Sequence, residues 1–258
     1  MRYFIELAYN GKEYHGWQSQ PNQTTVQSTL EGALSKLLRA ETSLVGAGRT
    51  DTGVHARQMF AHFDSDFDIV DKKRFLLSFN SMVGKDIFIR DIFPVDKESH
   101  ARFDAVERTY KYFVNYSKNP FLKDFCWHTP SGLDISAMNS AAQILLHTTD
   151  FTSFAKLHSD VKTNNCKVTQ AFWQPVVKDE EASEFLGTLD NGIVFTISAD
   201  RFLRNMVRAI VGTLVDVGRH KIGVDEFIDI IDDKNRCSAG TSMPAGGLFL
   251  WKIRYPFV

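Results

Sequence analysis

A polar loop rich in glycines and threonines can present a reactive side chain, and residues 46–56 form one around Asp51. The stretch reads Gly46-Ala47-Gly48-Arg49-Thr50-Asp51-Thr52-Gly53-Val54-His55-Ala56, with β-prone Leu44-Val45 before it and Met59-Phe60-Ala61-His62-Phe63 after it. Glycines permit positive φ and close approach of a ligand to the backbone. A polar loop between two strands is where a rigid scaffold exposes a reactive side chain. Spacing alone also fits a turn aspartate bonded to its own backbone, the commoner job for Asp in such a turn. A phosphate cradle fits worse, because both the Gly-Lys-Ser/Thr ending of a P-loop and the dinucleotide-binding glycine spacing are missing.

A second group is cationic. Arg208 lies within Phe202-Leu203-Arg204-Asn205-Met206-Val207-Arg208-Ala209-Ile210-Val211-Gly212, an apolar run in which an arginine is costly unless it meets an anion. Arg201, Arg204 and Arg208 are spaced i, i+3 and i+7, which on one helix places them on one face. A third group is aromatic. In Glu107-Arg108-Thr109-Tyr110-Lys111-Tyr112, strand alternation puts Tyr110 and Tyr112 on one face and cations on the other. Aromatics beside Arg and Lys on a sheet can stack unpaired bases. Cross-strand packing is the plainer role, and it suits Tyr112 better than Tyr110.

Other chemistries find little support. His55, His62 and His100 fall on different elements with no cysteines at zinc spacing. There is no Gly-x-Ser-x-Gly elbow for a serine nucleophile. Cys126, Cys166 and Cys237 are scattered and odd in number, which fits a reducing compartment rather than a disulfide framework.

These groups need elements to hold them. Residues 2–9 alternate as a strand with Tyr3, Ile5 and Leu7 on one face, and a polar segment with exposed aromatics, Tyr14 and Trp17, follows. Thr24 or Thr25 caps a helix to about residue 39, with Val26, Leu30, Leu37 and Leu38 near its apolar face. The glycine-rich loop and its strands come next, then a helix over 70–82 and a strand over 87–95. This β-α-β-β-α-β order matches the split βαβ, ferredoxin-like unit. The second half predicts strands over 108–116, 167–177, 184–199 and 247–255, with helices over 134–146, 202–218 and 224–231. The expected fold class is α+β, with domains 1–104 and 105–258.

At 258 residues the chain can bury a substantial core, and its 21 Phe are mostly expected to fill it. A net charge of −1 means that any nucleic-acid partner must be held by a local basic surface. Glu6 interrupts an N-terminal apolar stretch too short for a signal peptide, and no uncharged run approaches the roughly 18 residues of a membrane span. A cytoplasmic location is expected.

Four stretches, in order along the chain, resemble the tRNA pseudouridine synthase A family. They are Gly48-Arg49-Thr50-Asp51-Thr52-Gly53-Val54-His55-Ala56, Arg108-Thr109-Tyr110-Lys111-Tyr112, Phe202-Leu203-Arg204-Asn205-Met206-Val207-Arg208 with Val211-Gly212, and Gly247-Leu248-Phe249-Leu250. His147-Thr148-Thr149-Asp150-Phe151-Thr152-Ser153-Phe154 is similar to a further family segment. The departure is Thr52, where the family motif has alanine; it bears on local packing, not on chemistry.

The resemblance implies two ferredoxin-like (RRM-like) α/β halves with antiparallel sheets, forming a pseudouridine synthase fold around a central cleft. It implies isomerisation of uridine to pseudouridine at positions 38, 39 and 40 of the tRNA anticodon stem-loop, by a homodimer. It implies that Asp51 is the nucleophile and that no cofactor or metal is required. Arg208 is then the candidate partner that keeps the carboxylate ionised. Tyr110 is the candidate to stack on the flipped base and take the C5 proton, and Leu248 the candidate apolar wall. Arg49, Arg57, Arg201, Arg204, Arg219 and Lys221 are the candidate RNA contacts, which predicts salt-dependent tRNA binding. The alternatives are a base-stacking RNA-binding module without catalysis and, less favoured, a hydrolase with an aspartate nucleophile.

Overall fold

The computed structural model describes residues 1–156, 162–187 and 191–257. The fold is mixed α+β with mostly antiparallel strand pairing. Two compact units are present. One comprises Met1–Val106 with Leu250–Val258, the other Glu107–Phe249. The division falls two residues beyond 104/105, and the last nine residues group with the first unit rather than the second.

In the first unit the elements are β1 (Arg2–Tyr9), α1 (Val26–Leu38), β2 (Val45–Gly46), β3 (His55–Asp64), α2 (Lys72–Met82) and β4 (Ile87–Val95). β1 is the centre. It pairs antiparallel with β3 through Ile5↔Ala61 and Leu7↔Met59, and with β4 through Ile5↔Ile92. Tyr3, Ile5 and Leu7 are buried as their alternation predicts, but so is Phe4 on the opposite face. Its ring lies among His62, Phe93, Tyr255 and Phe257, so this strand is covered on both sides. β2 adds Gly46↔Ala61 to β3, and the C-terminal strand β9 (Leu248–Arg254) also borders β3. α1 begins at a capping box in which Thr25 Oγ1 accepts from Ser28 N at 3.2 Å and Ser28 Oγ accepts from Thr25 N.

The second unit holds β5 (Glu107–Asn115), β6 (Trp127–His128), α3 (Ile135–Ile144), β7 (Val168–Pro175), α4 (Glu180–Leu186), β8 (Gly192–Ala199), α5 (Met206–Gly218) and α6 (Val224–Asp232). β8 lies between β5 and β7, with Tyr112↔Phe195 on one side and Trp173↔Phe195 on the other. Every residue of β8 is buried, as expected of a central strand.

Two expectations are corrected here. The strand expected over 184–199 is only Gly192–Ala199, and 188–190 lie outside the described residues. Residues 180–186 are helical because Asp179 Oδ1 caps Ala182 N at 3.0 Å and Glu180 and Glu181 sit in the first turn, where the helix dipole favours acids. The helix expected over 202–218 starts at Met206, because Asn205 is left-handed at φ 65° and interrupts helical continuation.

Candidate active site

The Asp51 loop is braced strand by strand. Ala47 N donates to Phe60 O at 2.8 Å, so the loop leaves β2 still paired to β3. Beyond that point the bracing comes from residues 9–17. Trp17 N donates to Thr50 O at 3.2 Å, Tyr9 Oη and Thr50 Oγ1 share a hydrogen bond of 2.8 Å, and Gly53 N donates to Tyr14 O at 3.3 Å. Val54 N closes a turn onto Asp51 O at 3.1 Å, and Gly11 N donates to His55 Nδ1 at 3.1 Å. The backbone on either side of half-buried Asp51 is therefore held at Thr50 and at Gly53 and Val54.

The bracing segment differs from its expectation. Tyr14 and Trp17 are buried, Trp17 to 1% exposure, and they form the floor under the loop. Gly16 makes this possible. It sits at φ +84°, and a Cβ there would lie 2.5 Å from Thr50 O, so no larger residue could occupy the position. Thr52, the departure from the family motif, is exposed. Of the candidate RNA contacts in this unit, exposed Arg49 donates from Nε to Gln18 Oε1 at 3.0 Å. The Arg57 guanidinium lies 4.7 Å over the Trp251 ring.

In the second unit, β5 presents Tyr110 opposite Ile197, half-buried, with its ring edge-on to Phe202 at 5.0 Å. Tyr112 is fully buried; its hydroxyl donates to Pro244 O at 3.0 Å, and burial pushes its pKa well up. Lys111, expected on the face of the strand opposite the two tyrosines, is buried. It pairs with Asp179 at 2.5 and 2.7 Å, their side chains 7% and 8% exposed, because Asp179 at the head of α4 supplies the anion that burial demands. Lys111 is thereby removed from any RNA surface.

Arg208 stands in the first turn of α5, half-buried. Its Nε donates to Met243 O at 2.6 Å and its carbonyl accepts from Met243 N at 3.1 Å. Arg208 and Tyr112 thus hold consecutive carbonyls, those of Met243 and Pro244, on the approach to Leu248. Leu248 is buried at the start of β9. Arg201 and Arg204 precede the helix, so the single helical face expected for Arg201, Arg204 and Arg208 does not exist. Arg204 is exposed and Arg201 half-buried. Arg219 lies 5.2 Å over Trp127, and Lys221 pairs with Asp216 at 3.0 Å.

Asp51, Arg49 and Arg57 belong to the first unit; Tyr110, Arg208, Leu248, Arg201 and Arg204 belong to the second. Sequence reading missed the Met243 and Pro244 carbonyls and Asp179, and it gave Phe202 no role beside Tyr110. The signal for Asp179 was present: an aspartate directly before Glu180-Glu181 is a helix start. The histidines serve as acceptors. His62 Nδ1 takes Ala101 N at 3.1 Å, as His55 takes Gly11.

The chain is similar to known proteins along its whole length. Residues 141–256 match the family model described as tRNA pseudouridine synthase. A tRNA pseudouridine synthase A of Parabacteroides distasonis is 51% identical over 99% of this chain and 96% of its own length. The protein of that name from Bacteroides fragilis is 49% identical over the same shares, and one from Thermoanaerobacter pseudethanolicus is 38% identical over 97% of this chain and 98% of its own. With relatives this similar along their whole length, the chain belongs to the tRNA pseudouridine synthase A family, isomerases that act on uridine in tRNA.

Proposed function

We propose that this isomerase converts uridine to pseudouridine at positions 38, 39 and 40 of the anticodon stem-loop, with Asp51 as nucleophile. The observation that carries the reading is the fixed path of the Asp51 loop, held by Tyr9, Tyr14, Trp17 and Gly11 on a motif that resembles the family's own. A reaction at a ribose carbon needs its carboxylate delivered in one direction, and an anchored loop does that at no cost during turnover.

The target base swings out of the stem-loop at a cost of a few kcal/mol before Asp51 reaches it. The glycosidic C–N bond breaks, the uracil turns within the pocket, C5 joins the ribose carbon, the C5 proton leaves, and N1 takes a proton from solvent. Arg208 stabilises the ionised carboxylate, Tyr110 stacks on the base and takes the proton, and Leu248 supplies an apolar wall. Product and substrate have the same atoms, so no cofactor enters the balance.

The two units are read as the ferredoxin-like halves of a pseudouridine synthase fold around a cleft. The first carries the aspartate and the second the Tyr, Arg and Leu motifs. Arg49, Arg57, Arg201 and Arg204 bind tRNA phosphates, in a cytoplasmic homodimer. The test is tritium release from tRNA labelled at uridine C5. Asp51→Asn should lose at least about a thousandfold in rate while still binding tRNA. Transcripts carrying a single uridine at position 38, 39 or 40, mapped by carbodiimide labelling, should each be modified. An Asp51→Asn enzyme of normal rate would remove the nucleophile, and modification elsewhere would remove the site assignment.

A further inference from the structure

Between α6 and β9 the chain returns along α5 as a strap, residues 239–243. Gly240 N donates to Thr213 Oγ1 at 3.0 Å, and Met243 N donates to Arg208 O at 3.1 Å. The approach is so close that a Cβ on residue 212 would lie 1.9 Å from Thr241 O, which accounts physically for Gly212 in the Val211-Gly212 motif.

One guanidinium organises the strap. Arg236 donates from one terminal nitrogen to Ala239 O at 3.3 Å and Gly240 O at 3.1 Å, and from the other to Ser242 Oγ at 2.8 Å. Asn205, held left-handed just before α5, donates to the same Ser242 Oγ at 2.6 Å. Ser242 precedes Met243, whose carbonyl takes Arg208 Nε. A guanidinium is planar, so fixing Nε fixes where its two terminal nitrogens point, and those nitrogens are the ones a carboxylate meets as a fork.

We propose that Arg236 is a positioning residue for the isomerisation. Acting through Ser242 and the strap carbonyls, it sets the place at which Met243 orients the Arg208 guanidinium. The inference rests on the reading of Arg208 given above. A strap that only held the fold together would not couple to Arg208 in the rate.

The experiment is single-turnover tritium release at saturating tRNA for Arg236→Met, Ser242→Ala, Arg208→Ala and the double variant Arg208→Ala/Arg236→Met. Arg236→Met should slow the step about 10- to 100-fold, the range that a misplacement of about 1 Å produces, with tRNA affinity changed less than about threefold. Ser242→Ala should move the rate in the same direction by less. In the Arg208→Ala background, Arg236→Met should add nothing, because the group it positions is gone. Wild-type rates in both strap variants overturn the proposal while leaving Arg208 in place, as does a fully additive loss in the double variant. A wild-type rate in Arg208→Ala removes the parent reading, and the proposal with it. If Arg236→Met does not fold, the cycle of Ser242→Ala with Arg208→Ala asks the same question.

Discussion

His62 lies on β3 with its Nδ1 occupied by Ala101 N and its ring 4.7 Å from that of His100. Burial, helped by the charge of Arg2 and by His100, lowers its pKa from 6.5 to about 4, against smaller raising effects of Asp64 and Asp104. The unfolded chain protonates this ring near 6.5 and the folded chain does not, so the folded state binds fewer protons in between. The stability contributed by the neutral ring is complete above about pH 6.5 and is lost as pH falls towards 4. Unfolding free energy should therefore drop by about 2 kcal/mol between pH 7 and pH 4.5 from this group. His62→Asn keeps an acceptor for Ala101 N without a titrating ring, and should flatten urea-midpoint curves in that window. An unchanged pH slope in the variant would remove His62 as the cause. The buried thiols behave differently: burial pushes Cys126 and Cys166 up to about 12, so both stay protonated and unreactive near neutral pH.

At the scale of elements, the Lys111–Asp179 pair ties the middle of β5 to the head of α4, and Asp179 also caps that helix. Lys111→Met leaves a carboxylate buried without its partner and should destabilise the protein by about 3–5 kcal/mol in urea melts. Adding Asp179→Asn removes the stranded charge while keeping a cap, so the double variant should be more stable than Lys111→Met alone. A double variant less stable than the single one would contradict this. This pair also marks where sequence reading ran out. Period-two and period-3.6 patterns and apolar runs made β1, β4, α6 and β9 legible nearly to the residue. Residues 184–199 were misread because apolar Phe185 and Leu186 continue visually into β8, although Asp179 had already started a helix. The motif residues could be named from the sequence by type. What was hidden were their supports: Arg208 meets Met243 over a separation of 35 residues and Tyr112 meets Pro244 over 132, and no local pattern encodes such pairings.

For the whole molecule, residues 250–258 matter more than their number. Trp251 lies under Arg57; Tyr255 stacks edge-on to Phe4 and Phe60 and donates to Ala101 O; Val106 N donates to Arg254 O. All of these contacts are within the first unit. Deleting residues 250–258 should therefore abolish hydrogen-exchange protection in β1 and β3 while leaving it in β5 and β8, as mass spectrometry can read. Retained protection in β1 and β3 would show that the first unit does without this segment. The same feature orders events on the ribosome. The chain is made from its N-terminus, and domains ordinarily fold as they emerge. Here the unit that carries Asp51 begins to emerge first, yet must wait for residues 250–258, after all of Glu107–Phe249 has been synthesised. The second unit can mature during translation, whereas the scaffold of the Asp51 loop is completed last, so a nascent chain stalled before residue 250 holds that loop unfinished.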